Sequence, residues 1–250
     1  MAIVKELRCS NCGALISFEP GEIIATCGYC GYTVVIETGK ASTFEHSMLL
    51  NKCNPPQMEE IVREWMRLGF LKPPDLARKS KIAEKSLTYL PFWVISVDAE
   101  TIYKGIFERL SPPLIKEGKI ANKYDWLVLA RKAANFPTRE YDVPLEGKIP
   151  YDFRKIEGFA KILKSELDRD EAVTIARQAI ETHHRYLAQQ DADRIIEIKN
   201  DIKINQTVYL HAPIWLVRYE YDGKNYFLWV DGATGTVIKG DIPPAKFRIF

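Results

Sequence analysis

Long apolar runs are missing from this 250-residue chain, and no stretch approaches the ~20 consecutive apolar residues that a helix needs to span a bilayer. That excludes a helical membrane anchor, and no membrane partner is expected. The opening residues, MAIVKELRCSNC, lack the apolar core and small-residue cleavage site of a secretory leader, so cytoplasm is the expected compartment. No G-x-x-x-x-G-K-[S/T] phosphate loop is present, which excludes the usual nucleotide motor, and no nucleotide is expected. No G-x-S-x-G nucleophile elbow occurs either. Strong charge of one sign is absent too: the net charge of +2 does not advertise a polyanionic partner for the chain as a whole.

Histidine is scarce, with four in all: His46, His183, His184 and His211. His183 and His184 are neighbours on a helical pattern and point about 100° apart, so they cannot chelate as an i, i+4 pair does. His183 reads as partly buried, His184 as exposed, and His211 as a strand-entry residue beside Pro213. Asp168, Asp170 and Glu171 form an acidic cluster that helix capping explains without chemistry. An enzyme is therefore not expected.

Cysteine is sparse but placed with purpose. Four of the five form Cys9-x-x-Cys12 and Cys27-x-x-Cys30, and Cys53 stands apart as a spare thiol. Without an export signal, an odd cysteine count speaks against a disulfide framework. A two-residue gap lets both thiolates of one turn reach the same ion, and two such turns complete a tetrahedral shell. Gly13, Gly28 and Gly31 let the backbone fold tightly around the sulfurs. The segment ALISFEPGEIIAT between the pairs reads as strand, Pro20-Gly21 turn, strand, and YTVVIET as a third strand. The expectation is a zinc ribbon with Cys9, Cys12, Cys27 and Cys30 holding one structural Zn2+. Iron is accepted by the same shell. A thioredoxin-like dithiol uses one Cys-x-x-Cys in a βαβ setting, and four thiolates leave no open position for catalysis.

Beyond the ribbon (1–40), residues 41–56 read as a linker ending in Pro55-Pro56. Met58, Ile61, Trp65 and Leu68 mark a first amphipathic helix, and a second is expected from Asp75 to about Leu87. YLPFWVISVDAETIYKGIF reads as strand, and YDWLVLARKA as strand or short helix. A helix is expected over about Ile156 to Leu167, then another opened by Asp168 and Glu171 with Ala172, Ile175, Ala176, Ala179, Ile180 and Leu187 on its buried side. The end reads as a β-meander with turns at Asp222-Gly223 and Asp231–Gly235. The fold class is α+β: a ribbon, then a body with an antiparallel sheet, divided as 57–150 and 151–250. YLPFWVI and HAPIWLV share Pro-apolar-Trp-apolar-apolar. That pattern reads either as a repeated helix-plus-sheet module or as two chance strand starts, where Pro fits the first position.

The ribbon LRCSNCGALISF…IATCGYCGYTVVI resembles those of archaeal and eukaryotic transcription proteins, namely the general initiation factor B type and the small zinc-ribbon subunit of archaeal RNA polymerase. A broader resemblance, over most of the chain, is to uncharacterised prokaryotic zinc-ribbon proteins in which a ribbon precedes a helix and a YLPFW-like strand. Ser10 and Gly28 stand where those knuckles commonly have Pro. The resemblance implies an accessory role in a nucleic-acid machine, transcriptional or ribosomal.

Charge qualifies that role. The ribbon has three basic residues against four acidic, which suits protein docking, with Ile16, Phe18 and Tyr29 as candidate contacts. From Lys104 to Arg139 there are eight basic residues against three acidic, interleaved with Tyr103, Tyr124 and Trp126. The candidate DNA or RNA contacts are Arg78, Lys79, Lys81 and Lys85, expected on the second helix, and Lys116, Lys119, Lys123, Arg131 and Lys132. The alternative reading is a solvated lysine-rich face on a protein-only scaffold. A third, less favoured, is an enzyme with its site in the C-terminal α+β part.

Overall fold

The computed structural model describes residues 5–9, 11–18, 24–27, 29–30, 32–35, 44–108, 112–132 and 135–244. Two hairpins open it: β1 (Lys5–Arg8) pairs with β2 (Leu15–Phe18), and β3 (Ile24–Thr26) with β4 (Thr33–Val35). Each hairpin carries one Cys-x-x-Cys at its tip. β2 and β3 fall where the strand–turn–strand reading placed strands, and among the described residues β2 pairs with β1 and β3 with β4. The Pro20-Gly21 turn lies outside the described residues.

The body is one mixed eight-stranded sheet built around two very long strands, β6 (Lys81–Phe107) and β10 (Arg194–Tyr221), which pair antiparallel along nearly their whole length. β7 (Leu114–Leu129) folds back on β6, and β11 (Lys224–Asp231) on β10, followed by β12 (Val237–Gly240). Two short strands join in parallel: β5 (Glu45–Met48) beside β10, and β9 (Lys161–Ile162) beside β6. β8 (Ile149–Pro150) closes the edge at β5. The expected all-antiparallel sheet is thus corrected to a mixed one, and residues 45–48 of the expected linker are a sheet strand.

Helices are few. α1 (Pro55–Arg67) and α3 (Arg169–Asp191) each start from a capping box, Asn54 with Gln57 and Asp168 with Glu171. The second helix shrinks to α2 (Leu76–Lys79), because residues from Lys81 onward spend their backbone on the β10 ladder, a tertiary override of local periodicity. The helix expected over 156–167 is also absent. Its backbone serves the sheet margin, with Leu163 N–H donating to Tyr89 O (3.0 Å) and Glu166 N–H to Ala130 O (2.8 Å).

The order short parallel strand, capped helix, long strand, return strand occurs twice. Ser47 and Lys161, which pair with β10 and β6, each lie seven residues before the N-cap, Asn54 or Asp168. Trp93 and Trp215 sit at matching places on the two long strands, and both are fully buried. α1 packs Met58, Val62 and Met66 with Trp215, whereas α3 packs Ala172, Ala176 and Ile180 with Trp93. Each helix therefore covers the tryptophan of the other long strand, so the expected division at 150/151 runs through one shared sheet and two shared cores. Ile175 is exposed, while Ala172, Ala176 and Ile180 are buried as expected.

Trp93→Ala and Trp215→Ala should each cost about 3–5 kcal/mol, the usual range for emptying a large core site. Urea unfolding of the body should show one transition in both variants. Two separated transitions in either would contradict the crossed packing.

Candidate metal centre

The sulfurs of Cys9, Cys12, Cys27 and Cys30 all lie within 4.8 Å of one another. Cys9 Sγ is 3.6 Å from Cys30 Sγ, and Cys12 Sγ is 3.6 Å from Cys27 Sγ. Four sulfurs about 2.3 Å from one tetrahedral ion sit about 3.8 Å apart, so the cluster has the dimensions of a metal shell. The knuckles make it. Cys9 N–H donates to Ala14 O and Gly13 N–H to Cys9 O, both 2.8 Å, and Gly13 has φ +76°, which favours glycine. In the second knuckle Cys27 N–H donates to Tyr32 O (2.8 Å) and Tyr29 N–H reaches Cys27 Sγ (3.4 Å). Asn11 and the backbone N–H of Tyr32 favour the Cys30 thiolate and bring it down to about 6. Cys9 and Cys27 are buried, together with Ile16 and Ala25, while Cys12 and Cys30 reach the surface. Ile16 is therefore unavailable as a docking contact. Tyr29, 89% exposed, is available, and the Phe18 side chain lies outside the described residues.

The ribbon is seated on the body by Ile24, which joins the cluster of Trp93 and Tyr209, and by a hydrogen-bonded relay. His211 Nε2 lies 3.0 Å from Leu163 O, which only accepts, so Nε2 carries the proton. A neutral His211 then accepts at Nδ1 from His46 Nε2 (3.1 Å). His46 Nδ1 in turn accepts from the hydroxyl of Thr33 (3.0 Å) or Thr26 (3.3 Å), the residues that flank the second knuckle. Tyr151 stacks on His46 with ring centroids 4.1 Å apart. His211 is thus a mid-strand core residue and not a strand-entry residue. Sequence reading missed this pair because its members lie 165 residues apart and only the fold joins them. The other pair is corrected too: His184 is buried on α3, with Nδ1 2.7 Å from the Thr101 hydroxyl and Nε2 2.9 Å from the Tyr124 hydroxyl, because it falls on the same helical stripe as Ile180.

A cavity of about 580 Å³ opens where the second knuckle meets the body, lined by Tyr29 and Cys30 on one wall, Tyr151, Phe153 and Arg154 on the other, and His211. Asp152 engages the Arg154 guanidinium twice, at 2.8 and 2.9 Å.

The basic candidates do not gather in one place. Arg78 and Lys79 lie on α2, while Lys81 and Lys85 lie on β6 and not on a helix. Lys116, Lys119 and Lys123 lie on β7, and Arg131 and Lys132 follow it. From Lys85 to Asp98, the partner of Lys123, the path along β6 is about 40 Å at ~3.3 Å per residue. Six of the nine meet carboxylates: Lys79–Asp75 (2.7 Å), Lys85–Glu59 (3.0 Å), Lys119–Glu100 (2.9 Å), Lys123–Asp98 (3.7 Å), Arg131–Glu166 (2.9 Å) and Lys132–Glu171 (3.6 Å). Lys116 instead stands over the Phe107 ring.

No family model matches the chain, and no solved structure does. An uncharacterized protein of Bacillus subtilis (strain 168), YdjG, is 22% identical over 221 residues, 77% of this chain. The match spans 62% of that protein's length. Among the described residues, no helix is long and apolar enough to cross a membrane.

Burial holds both relay histidines neutral, His46 well below its ordinary range and His211 at about 4. The unfolded chain takes up these protons near pH 6.5, whereas folded His211 refuses its proton down to about pH 4 and burial holds folded His46 well below its ordinary range. Stability is therefore full above pH 6.5 and falls as the pH drops through that window, by about 1.4 kcal/mol per pH unit for each such histidine. Urea unfolding at pH 7, 6 and 5 should show a shallower decline in His211→Gln than in the unaltered chain. Equal slopes would remove His211 from the relay.

Proposed function

We propose that this protein is a non-enzymatic adaptor whose first forty residues are clamped by one structural zinc ion and dock to protein. The observation that carries this reading is the closed cluster of four sulfurs within 4.8 Å at the tips of two hairpins. A tetrathiolate shell suits Zn2+, and it leaves no position for a water or substrate. Its work is then mechanical: it ties two short hairpins together where apolar burial is too small to hold them. The exposed Tyr29 on the second knuckle offers an aromatic anchor of the kind that dominates protein interfaces.

Charge placement favours protein over nucleic acid as the partner. A surface that tracks a phosphate backbone needs contiguous, available cations. Here the candidate cations are spread over α2, β6, β7 and the residues after it, and most already face a carboxylate. The second reading, an accessory factor touching DNA or RNA through Arg78, Lys81 and Lys116, keeps its support in the ribbon's resemblance to transcription ribbons. The cytoplasm is the proposed compartment in both.

Elemental analysis should find about one zinc per chain. Cys12→Ser and Cys27→Ser should each lower zinc content and expose residues 5–35 to proteolysis while the body stays folded. A metal-free protein with an equally protected ribbon would overturn the clamp. Anisotropy titrations with single- and double-stranded DNA and RNA at physiological salt should show no binding tighter than that of a neutral control protein. Tight binding that is lost in Arg78→Ala/Lys81→Ala would instead establish the second reading.

A further inference from the structure

One arm of the sheet has a bare face. Along β6 the odd-numbered residues from Trp93 to Tyr103 point toward α3, so Asp98, Glu100, Ile102 and Lys104 point the other way. On that side the 135–145 loop covers the middle of the sheet, where Phe136 and Tyr141 pack with Leu90, Phe92 and Val94. Further out the strands carry exposed and half-exposed charges with no described element over them.

The strand register arranges those charges in rows across β10, β6 and β7. The first row is Lys203, Asp98, Lys123 and the second Asp201, Glu100, Ala121. The third is Lys199, Ile102, Lys119 and the fourth Glu197, Lys104, Glu117. The net charges of the rows alternate in sign and reverse about the centre: one positive, two negative, two positive, one negative.

We propose that this face is the contact between two copies of the chain, related by a two-fold axis that runs across the strands between the second and third rows. A half-turn about that axis lays each strand on its own copy in reverse. Asp98 then meets the partner copy's Lys104, Lys123 its Glu117, Lys203 its Glu197, and Lys199 its Asp201. Every position with a charge at both ends of this exchange brings opposite signs together, and symmetry doubles each pair. Glu100 and Lys119, which lack such a match, satisfy each other within one chain at 2.9 Å, while the longer Lys123–Asp98 pair at 3.7 Å takes part in the exchange. Sheets packed face to face stand about 10 Å apart, a gap that a lysine meeting a carboxylate side chain closes. Three strands about 4.8 Å apart and four rows about 6.7 Å apart give a patch of roughly 400 Å² per copy, half the usual share of a stable interface. The pair is therefore weak, reversible and salt-sensitive, and its specificity lies in the order of the signs.

The test uses two full-length variants under reducing conditions. Lys199→Glu/Lys203→Glu makes the β10 row entirely acidic, and Glu197→Lys/Asp201→Lys makes it entirely basic. In sedimentation equilibrium at low salt the unaltered chain should associate, and association should weaken at least tenfold as the screening length falls from about 30 Å at 0.01 M to about 3 Å at 1 M. Each variant alone should be monomeric, and their equimolar mixture should associate at least as tightly as the unaltered chain. Lys123→Glu and Glu117→Lys on β7 repeat the exchange, should either β10 variant unfold by circular dichroism. An unaltered chain that stays monomeric at low salt overturns the proposal. So does a dimer that is indifferent to both exchanges, or a mixture no tighter than its components.

Discussion

The ladder between β6 and β10 is the constraint on which the rest depends. Twenty-five residue pairs, from Arg194↔Ile106 to Glu220↔Lys81, hold two strands whose partners lie 88 to 139 residues apart in the chain. Contacts this distant in sequence carry a large loop-closure cost, so they form only when burial across the sheet repays it. The repayment comes from the crossed helices. α1 and α3 each bury a fully enclosed tryptophan belonging to the strand that the other helix precedes. Both indoles are also tied to the segment that leads into a helix: Trp93 Nε1 donates to Leu167 O (3.1 Å), and Trp215 Nε1 to Asn51 Oδ1 (3.0 Å). The same donors thus fix the helix starts and the strand register together.

The ribbon depends on that frame because it has little core of its own. Among the described residues its own buried cluster is Cys9, Ile16, Ala25 and Cys27, while buried Ile24 packs into the body. A cluster that small cannot offset the entropy of ordering two hairpins, which is why a metal clamp and a dock on the body both make physical sense. The dock is polar at its centre, and polar groups inside a fold persist only when satisfied. The relay from Thr33 through His46 and His211 to Leu163 O meets that demand with one consistent direction of donation. It also links the walls of the second knuckle to the middle of the long ladder, where His211 faces Pro91.

What the sequence disclosed follows from how local each signal is. The cysteine spacing, the Asp168–Glu171 capping box, the apolar stripe on α3 and the Asp222-Gly223 turn are each set by residues within one or two turns of each other. All of these features are present in the fold. The β6 start at Lys81 and the loss of a helix over 156–167 were illegible, because remote strands decide them. Ile82, Ala83 and Leu87 suit either period, and only the β10 ladder chooses. The placement of charge was illegible for the same reason. Eight basic residues in a linear window look like a patch, but pleating sends neighbours to opposite faces, and pairing brings acids from β6 and α3 beside them.

The topological repeat explains where the ribbon sits. Counted from the two tryptophans, His211 on β10 matches Tyr89 on β6, each four residues before its own Trp. Tyr89 is satisfied inside the body: its hydroxyl donates to Glu157 Oε2 (3.1 Å) and accepts from Asn51 N–H (3.4 Å). His211 instead has one nitrogen on the body and one on His46, which passes the connection outward to Thr26 and Thr33. The two halves of the sheet thus offer nearly equivalent positions, and the one with imidazole in place of phenol lies on the side where the ribbon sits. The phenol hydroxyl reaches its partners at the tip of a long ring. The imidazole carries a donor and an acceptor on opposite edges, so it can bridge two elements where tyrosine closes off one. That asymmetry accompanies the seating of the four-cysteine cluster beside one of the two matching halves.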